Sequence, residues 1–307
     1  MRKAVLKAIL CILVVASLGL LACDNEPSAS VLVDDEKREV TVPADPQRIV
    51  SLGSPITEIL FALDLGDRVV ATDDYSTYPE EAAALPKVGA PWPGFNAETI
   101  LDREPDLILS SAGTIVQQLE PYGVPVFVVQ PTDIQGILDD IREIGEITGK
   151  EKQARDLVNS LQARVDAVTA RTDGLAAGDR PSVFYEVDAT DPTRPYTAGS
   201  GTFQDELISL AGGTNVAGGA SSWYQISVEE IVDADPDLVV LEDYQYGVSV
   251  ESVGARSPAW AGLSAVKDGK VYAIENPDLT SRYGPRIVDG LEMLARIIQP
   301  GLFPEGE

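Results

Sequence analysis

Apolar positions along the chain fall into three regimes. Over 31–42, Val31 and Val33 and then Val40 and Val42 alternate with polar residues about a charged turn, which predicts a β-hairpin. From 48 onward, short apolar runs alternate with helical periodicity. "RIVSLG", "DRVVATDD", "DLILSS" and "VPVFVV" read as strands, and "SPITEILFALDLG", "NAETILDRE" and "IVQQLEPYG" as the helices between them. Ser54 is the expected cap of the first helix and Gly66 its stop. Apolar strands set between helical patterns predict a parallel sheet covered on both faces.

The pattern changes at 133. Ile134, Ile137, Leu138, Ile141 and Ile144 recur at helical spacing up to Gly149. The next stretch, "KEKQARDLVNSLQARVDAVTART", contains neither Gly nor Pro, and Ala154, Leu157, Val158, Leu161, Val165 and Val168 form one stripe along it. At 1.5 Å per residue such a helix is roughly 34 Å long, about the width of a small domain. Strand and helix patterns then resume: "SVFYEV", "GTFQDELISLAGG", "SVEEIVDAD", "DLVVLED", "KVYAI" and a final amphipathic helix in "GPRIVDGLEMLARIIQP". The predicted fold is α/β, with two Rossmann-like lobes built on parallel sheets and joined by one long rigid α-helix. Its expected boundaries are 31–149 for the N-terminal lobe, 150–174 for the linking helix and 175–307 for the C-terminal lobe.

The first 22 residues stand apart. A basic "MRKAVLK" precedes an apolar "AILCILVVASLGL", the layout of a secretory signal. "LLAC" resembles a bacterial lipobox, although Leu21 replaces the usual small residue. Cys23 is therefore the expected lipidation site, residues 23–30 a polar tether, and the location extracytoplasmic: periplasm or outer face of the cell membrane. Cys11 and Cys23 are the only cysteines, so the body of the protein has neither disulfide nor thiol nucleophile. Histidine is absent altogether, which removes Ser-His-Asp and Cys-His catalysis and His-based zinc or copper sites. Taking Arg2, Lys3 and Lys7 from the 23 basic residues leaves 20 against 49 acidic ones, a net charge of −29 that repels nucleic acid.

One unit occurs twice. In "WPGFNAETILDREPDLIL" and "WYQISVEEIVDADPDLVV" a Trp precedes a Glu by six residues, and Pro-Asp-Leu follows. Trp92 matches Trp223 and Glu98 matches Glu229, one pair per lobe. Asn96 and Ser227 are suitable caps, which puts each Glu at the second position of its helix. A Glu there offsets the helix dipole, and that alone explains one copy; two copies at equal spacing from a Trp point further. Loops at the carboxyl ends of strands line the crevice of such folds, so the two Trp are expected to face a ligand there. Tyr75, Tyr78, Phe95, Tyr196, Tyr224, Tyr244 and Tyr283 also fall in loops, and an aromatic crevice suits a large, flat, partly apolar ligand. Trp260 reads as a core anchor, and "GSGT" at 199–202 as a turn before a helix rather than a phosphate loop. No acid–base or nucleophile–base set emerges, so the expectation is a protein that is not an enzyme; an enzyme acting in the cleft is the remote alternative.

On the segments "RIVSLGSPITEILFALDLGDRVVATDDYSTYP", "VGAPWPGFNAETILDREPDLIL" and "YTAGSGTFQDELISLAGGTNVA" the chain resembles the substrate-binding proteins of ABC importers for vitamin B12, haem and ferric siderophores. The resemblance spans nearly all of 45–300 and is closest to the cobalamin-binding members. It implies ligand contacts from Pro55, Tyr75, Trp92, Tyr196 and Trp223, and from Asp278 and Arg282 in "PDLTSRYGPR". It also implies docking of Glu98 and Glu229 onto a permease dimer, a monomeric binding protein, no metal and no cofactor beyond the transported corrinoid. One departure is "SSAG" at 110–113, where cobalamin binders carry a further Trp; small side chains there leave room. Haem- or siderophore-binding relatives are the alternative, with Tyr75 or Tyr283 available to iron, or Arg282 and Arg286 to siderophore oxygens.

Overall fold

The four apolar runs of the first half become four parallel strands. The structure, a computed structural model, describes residues 29–304, without the side chains of 245 and 246. Strands β3 (Ile49–Leu52), β4 (Val69–Thr72), β7 (Leu107–Ser110) and β8 (Val126–Val128) form a sheet ordered β4-β3-β7-β8. All four residues of β3 and of β7 are buried, as expected of strands covered on both faces. The leader, Cys11, Cys23 and most of the tether lie outside the described residues.

The hairpin pairs β1 (Ser30–Val33) with β2 (Glu39–Val42), but its register sets Leu32 opposite Val40. Leu32, Val40 and Val42 therefore face the core, while Val31 and Val33 are exposed. The turn clasps β8: the Val128 N–H donates to Asp34 and the Asp35 N–H to the Val128 carbonyl.

Helix α1 (Ser54–Ala62) begins one residue earlier than expected. Gly53 is its cap, with no side-chain hydrogen bond, and Ser54 is already helical with Pro55 in the first turn. The cap position admits only a glycine because a Cβ at 53 would lie 2.7 Å from the Ser111 Oγ. The helix also ends at Ala62, before Gly66, so that Leu63 and Leu65 can turn into the core.

Two antiparallel helices follow. Helix α3 (Ile134–Thr148) buries all five isoleucine and leucine positions of its predicted stripe and stops at Gly149 with φ 69°. Helix α4 (Glu151–Thr172) is the long linker, its stripe of Ala154, Val158, Leu161, Val165 and Val168 buried. Gly145 of α3 lets the two approach, since a Cβ there would fall 2.4 Å from that of Ala154. A single buried core runs from Ile49 and Leu60 through both helices to Val183, Leu207 and Leu291. The lobes are thus joined by packing as well as by chain.

The second half builds a six-stranded sheet ordered β12-β10-β9-β13-β14, with β11 (Thr214–Asn215) parallel on β9. Strands β9 (Ser182–Asp188), β13 (Leu238–Leu241) and β14 (Val271–Ala273) are parallel, whereas β10 (Tyr196–Ala198) and β12 (Trp223–Gln225) run antiparallel at one edge. The sequence carries no sign of that edge pair, because Tyr-Thr-Ala and Trp-Tyr-Gln lack the apolar run that marks the equally short β8 and β14. Trp260 is buried as expected, its indole N–H donating to the Pro192 carbonyl at 2.9 Å. Helix α5 (Phe203–Leu210), capped by Thr202, and the C-terminal helix α8 (Ile287–Ile298) cover this sheet.

Candidate ligand-binding cleft

In the first sheet the chain leaves β3 toward β4 on one side, and later enters β7 on the other. The loops after β3 and β7 therefore diverge, and a crevice opens at the carboxyl edge between them. A cavity of about 350 Å³ occupies this place. Pro55, Ile56 and Ile59 of α1, Ser111 after β7 and Asp140 of α3 line it, and Ser281 and Tyr283 reach in from the second lobe. Ser111 is the one residue of the "SSAG" stretch that borders this cavity.

The lobes touch beside this cavity. Gly284 packs on Pro55: a Cβ at 284 would lie 3.2 Å from the Pro55 carbonyl oxygen and 3.3 Å from its Cα. Arg286 donates to both oxygens of Glu58, at 2.8 and 2.6 Å, and its guanidinium lies 3.8 Å from the centre of the Tyr78 ring. Arg282 pairs with Asp278 at 2.9 Å within the short helix α7 (Asp278–Ser281) and its cap, and donates to the Thr77 hydroxyl of the first lobe at 3.2 Å. Asp278 lies 3.8 Å from Arg286. Asp278 and Arg282 thus stand in a polar ladder that bridges the lobes. Of the two residues at its core, Arg286 is expected from the sequence only as a candidate for siderophore oxygens, and Glu58 has no expected role; the signal for Glu58 is an acid inside the mostly apolar "SPITEILFA".

The loop bearing Tyr75, Thr77 and Tyr78 is pinned from beneath. Ser51, Thr57 and Ser76 form a chain of hydroxyls at 2.8 and 2.7 Å, and Ser76 donates to Asp73 at 2.6 Å. Lys87 donates to Thr72 and to the Ser76 carbonyl. These groups are buried or half-buried and fix the loop, leaving the Tyr75 ring exposed.

Trp92, Tyr196 and Trp223, the other aromatics expected at the ligand, are exposed too. Trp92 sits at the tip of a small hairpin, β5 (Gly89–Ala90) and β6 (Gly94–Phe95), and is 83% exposed. In the β10–β12 ribbon, Tyr196 faces Gln225 and Ala198 faces Trp223, so Tyr196 and Trp223 are diagonal neighbours on one face. Thr197 turns to the opposite, buried side. Among the described residues no ring contact joins Trp92 to Trp223. Glu98 and Glu229 are exposed at the second positions of α2 (Ala97–Leu101) and α6 (Val228–Ala234). Asn96 caps the first by accepting from the Thr99 N–H; Ser227 and Glu230 form a reciprocal capping box on the second.

Burial governs the ionisable groups of the cleft. Asp140 is pushed up to about 8 by burial and then by Asp35 and Glu143, and Glu143 itself to about 7 by burial and Asp35. Tyr283, stacked on Phe203 at 3.9 Å, is pushed up to about 12 by burial and by Glu242, so its phenol keeps its proton at neutral pH. Among the described residues no group of three or more acidic side chains is placed to hold a metal ion, and no helix is long and apolar enough to cross a membrane.

Residues 49–277 match the model of the periplasmic binding protein family. An uncharacterised ABC transporter substrate-binding lipoprotein of Bacillus subtilis is 35% identical over 283 residues, 90% of this chain and 87% of that one. A vitamin B12-binding protein of Yersinia pestis is 32% identical over 263 residues, covering 84% of this chain and 88% of its own. The solved apo structure of a periplasmic haem-binding protein from Roseiflexus superposes with a TM-score of 0.72 at 27% identity, over 83% of this chain and 99% of that one.

Proposed function

This chain belongs to the periplasmic binding protein family, and we propose that the ligand it captures for its ABC importer is a corrinoid, cobalamin or a close relative. The observation that carries the reading is the aromatic pair of the second lobe: Tyr196 and Trp223 are diagonal neighbours on the β10–β12 ribbon, each half-exposed. With Trp92 and Tyr75 from the first lobe they would grip a broad macrocycle from two sides. Pro55 would close its edge, and Asp278 and Arg282 would meet its amide periphery.

The alternative ligands fit less well. Siderophore oxygens call for free guanidinium groups; Arg286 is held by Glu58 of the first lobe, and Arg282 by Asp278 and Thr77, which leaves only its Nη1 without a partner among the described residues. Haem iron calls for a His, absent here, or a tyrosinate, and burial works against ionising Tyr283. Tyr75 remains exposed and is the position through which a haem reading would operate. The relatives include both B12- and haem-binding proteins, which makes haem the second reading.

Glu98 and Glu229, one per lobe, would dock on basic residues of the two permease subunits. Cys23 would carry the lipid that holds the protein on the outer side of the membrane, in keeping with the lipoprotein relative. Absorption titrations of the purified protein with cyanocobalamin, cobinamide and haemin test the ligand. Retention of corrinoid bands through dialysis is the expected result. A retained Soret band with no corrinoid binding overturns it in favour of haem, and conversion of a ligand into a released product would make the protein an enzyme.

A further inference from the structure

The cavity at the first-lobe switch point differs in chemistry from the aromatic mouth. Pro55, Ile56, Ile59 and Val129 make its walls mostly apolar, and Asp140 is the one carboxyl group among them. Asp140 is 6% exposed, and its Oδ2 is buried without a hydrogen-bond partner among the described residues. An unpaired polar atom in such a place is costly unless something bonds to it. At about 350 Å³ the space is at the low end for small-molecule pockets, which span about 300–1,000 Å³, so it suits one arm of a large ligand rather than the whole.

The groups around Asp140 decide what that arm carries. Asp35 approaches from the hairpin turn, and Asp133, Asp139 and Glu143 from α3 itself. Glu206 of α5 accepts from the Ile134 N–H at 3.0 Å at the start of the same helix. Lys37, near Glu143, and Arg142, paired with Asp139, are the nearby cations, and the Tyr283 phenol lines the cavity from the second lobe. The excess of carboxyl groups near Asp140 disfavours an anionic arm. With its proton held to about pH 8, Asp140 offers one donor and one acceptor side by side, the complement of a primary amide.

Building on the corrinoid reading, we infer that this cavity is a subsite for a ligand arm ending in a primary amide, bound by Asp140, and that it rejects the corresponding carboxylate. Calorimetric titration with cyanocobalamin and its three isomeric monocarboxylic acids, each with one peripheral amide hydrolysed, tests it. At least one isomer is expected to bind about tenfold more weakly than cyanocobalamin. Asp140→Asn should shrink that gap to about threefold or less, because its amide N–H can serve a carboxylate. Asp140→Leu should weaken cyanocobalamin itself about tenfold. Urea midpoints of both variants establish that each is folded.

Equal affinity for cyanocobalamin and all three acids overturns the inference and leaves the corrinoid reading standing. If haemin binds and cyanocobalamin does not, the corrinoid reading falls, and haemin against its bis-amide then decides the subsite. Preference for the bis-amide upholds it; equal or tighter binding of free haemin overturns it.

Discussion

The two Trp–Glu units are near copies in sequence and unlike in structure. Trp92 rides on a hairpin that forms a two-stranded sheet by itself, whereas Trp223 opens a strand bonded into the six-stranded sheet and is 45% exposed. The helix that follows each is capped alike in kind but not in degree, by one bond at Asn96 and by a reciprocal box at Ser227. A lone hairpin of this size has little stability of its own, while a sheet-bound strand is already set for a ligand. The repeat thus preserves the placement of the Glu and leaves each lobe to present its Trp differently.

The pair acts as a pair only while the lobes keep station, and the Glu58–Arg286 contact is where that is most severely tested. Glu58 is nearly inaccessible, so Arg286→Ala strands a buried carboxylate. Losing one partner of a buried pair costs about 3 kcal/mol or more, and urea unfolding at pH 7 should show it. A loss under about 1 kcal/mol would mean that the helix pair and shared core alone fix the lobes.

Charge reversal compares the two glutamates directly. The double variant Glu98→Arg, Glu229→Arg should keep its ligand affinity and lose transport into vesicles by on the order of a hundredfold, since attraction becomes repulsion at both contacts. Equal losses in the two single variants would show equivalent docking. Intact transport in the double variant would refute docking through these residues.

The tryptophans should separate next. Trp92 has most of its surface still to bury, so Trp92→Ala is expected to weaken ligand binding about thirtyfold. Trp223 is already half covered by its own lobe, and Trp223→Ala should cost about fivefold. The reverse order would establish that preorganisation in the sheet outweighs buried area.

What was legible in the sequence follows the range of each interaction. The strands at 49–52 and 107–110 and the stripes of α3 and α4 are written in local periodicity, and they fall where it put them. The caps Asn96 and Ser227 are equally local. The β10–β12 ribbon carries no apolar run, and the Glu58–Arg286 pair joins residues 228 apart, so no local pattern marks either. Asp140 was hidden differently: it lies three residues after Ile137 and four before Ile144, on the buried stripe, and an acid at that spacing was the overlooked sign.

Burial raises the pKa of carboxyls in both halves of the molecule, which makes pH a finer comparison. Asp140 between the lobes is raised to about 8 and Glu242 in the second lobe to about 7, both chiefly by burial. A carboxyl with a raised pKa holds its proton more tightly folded than unfolded. Its contribution is full below the unfolded value, near 4, and is lost as pH rises through the folded value. Melting temperature should therefore fall between pH 5 and 9, and Asp140→Asn should remove the upper part of the fall. An unchanged slope in that variant would show that Asp140 titrates normally.

The smallest expected difference lies in the caps, and it bears on whether the lobes differ in the Glu as well as the Trp. Ser227→Ala removes both the acceptor for the Glu230 N–H and the hydroxyl bonded to the Glu230 carboxylate, and should cost about 1 kcal/mol. Asn96→Ala removes a single bond from a five-residue helix next to a lone hairpin, and about 0.5 kcal/mol is expected because that turn can fray without disturbing the sheet. Urea midpoints give the two costs, and amide exchange at Thr99 and Glu230 shows where the loosening occurs. If the costs match, the first-lobe helix is held as firmly as the second, and the asymmetry is confined to the tryptophans. If Asn96→Ala is the cheaper and also lowers transport while sparing ligand affinity, the looser cap is what lets Glu98 adjust to its permease subunit.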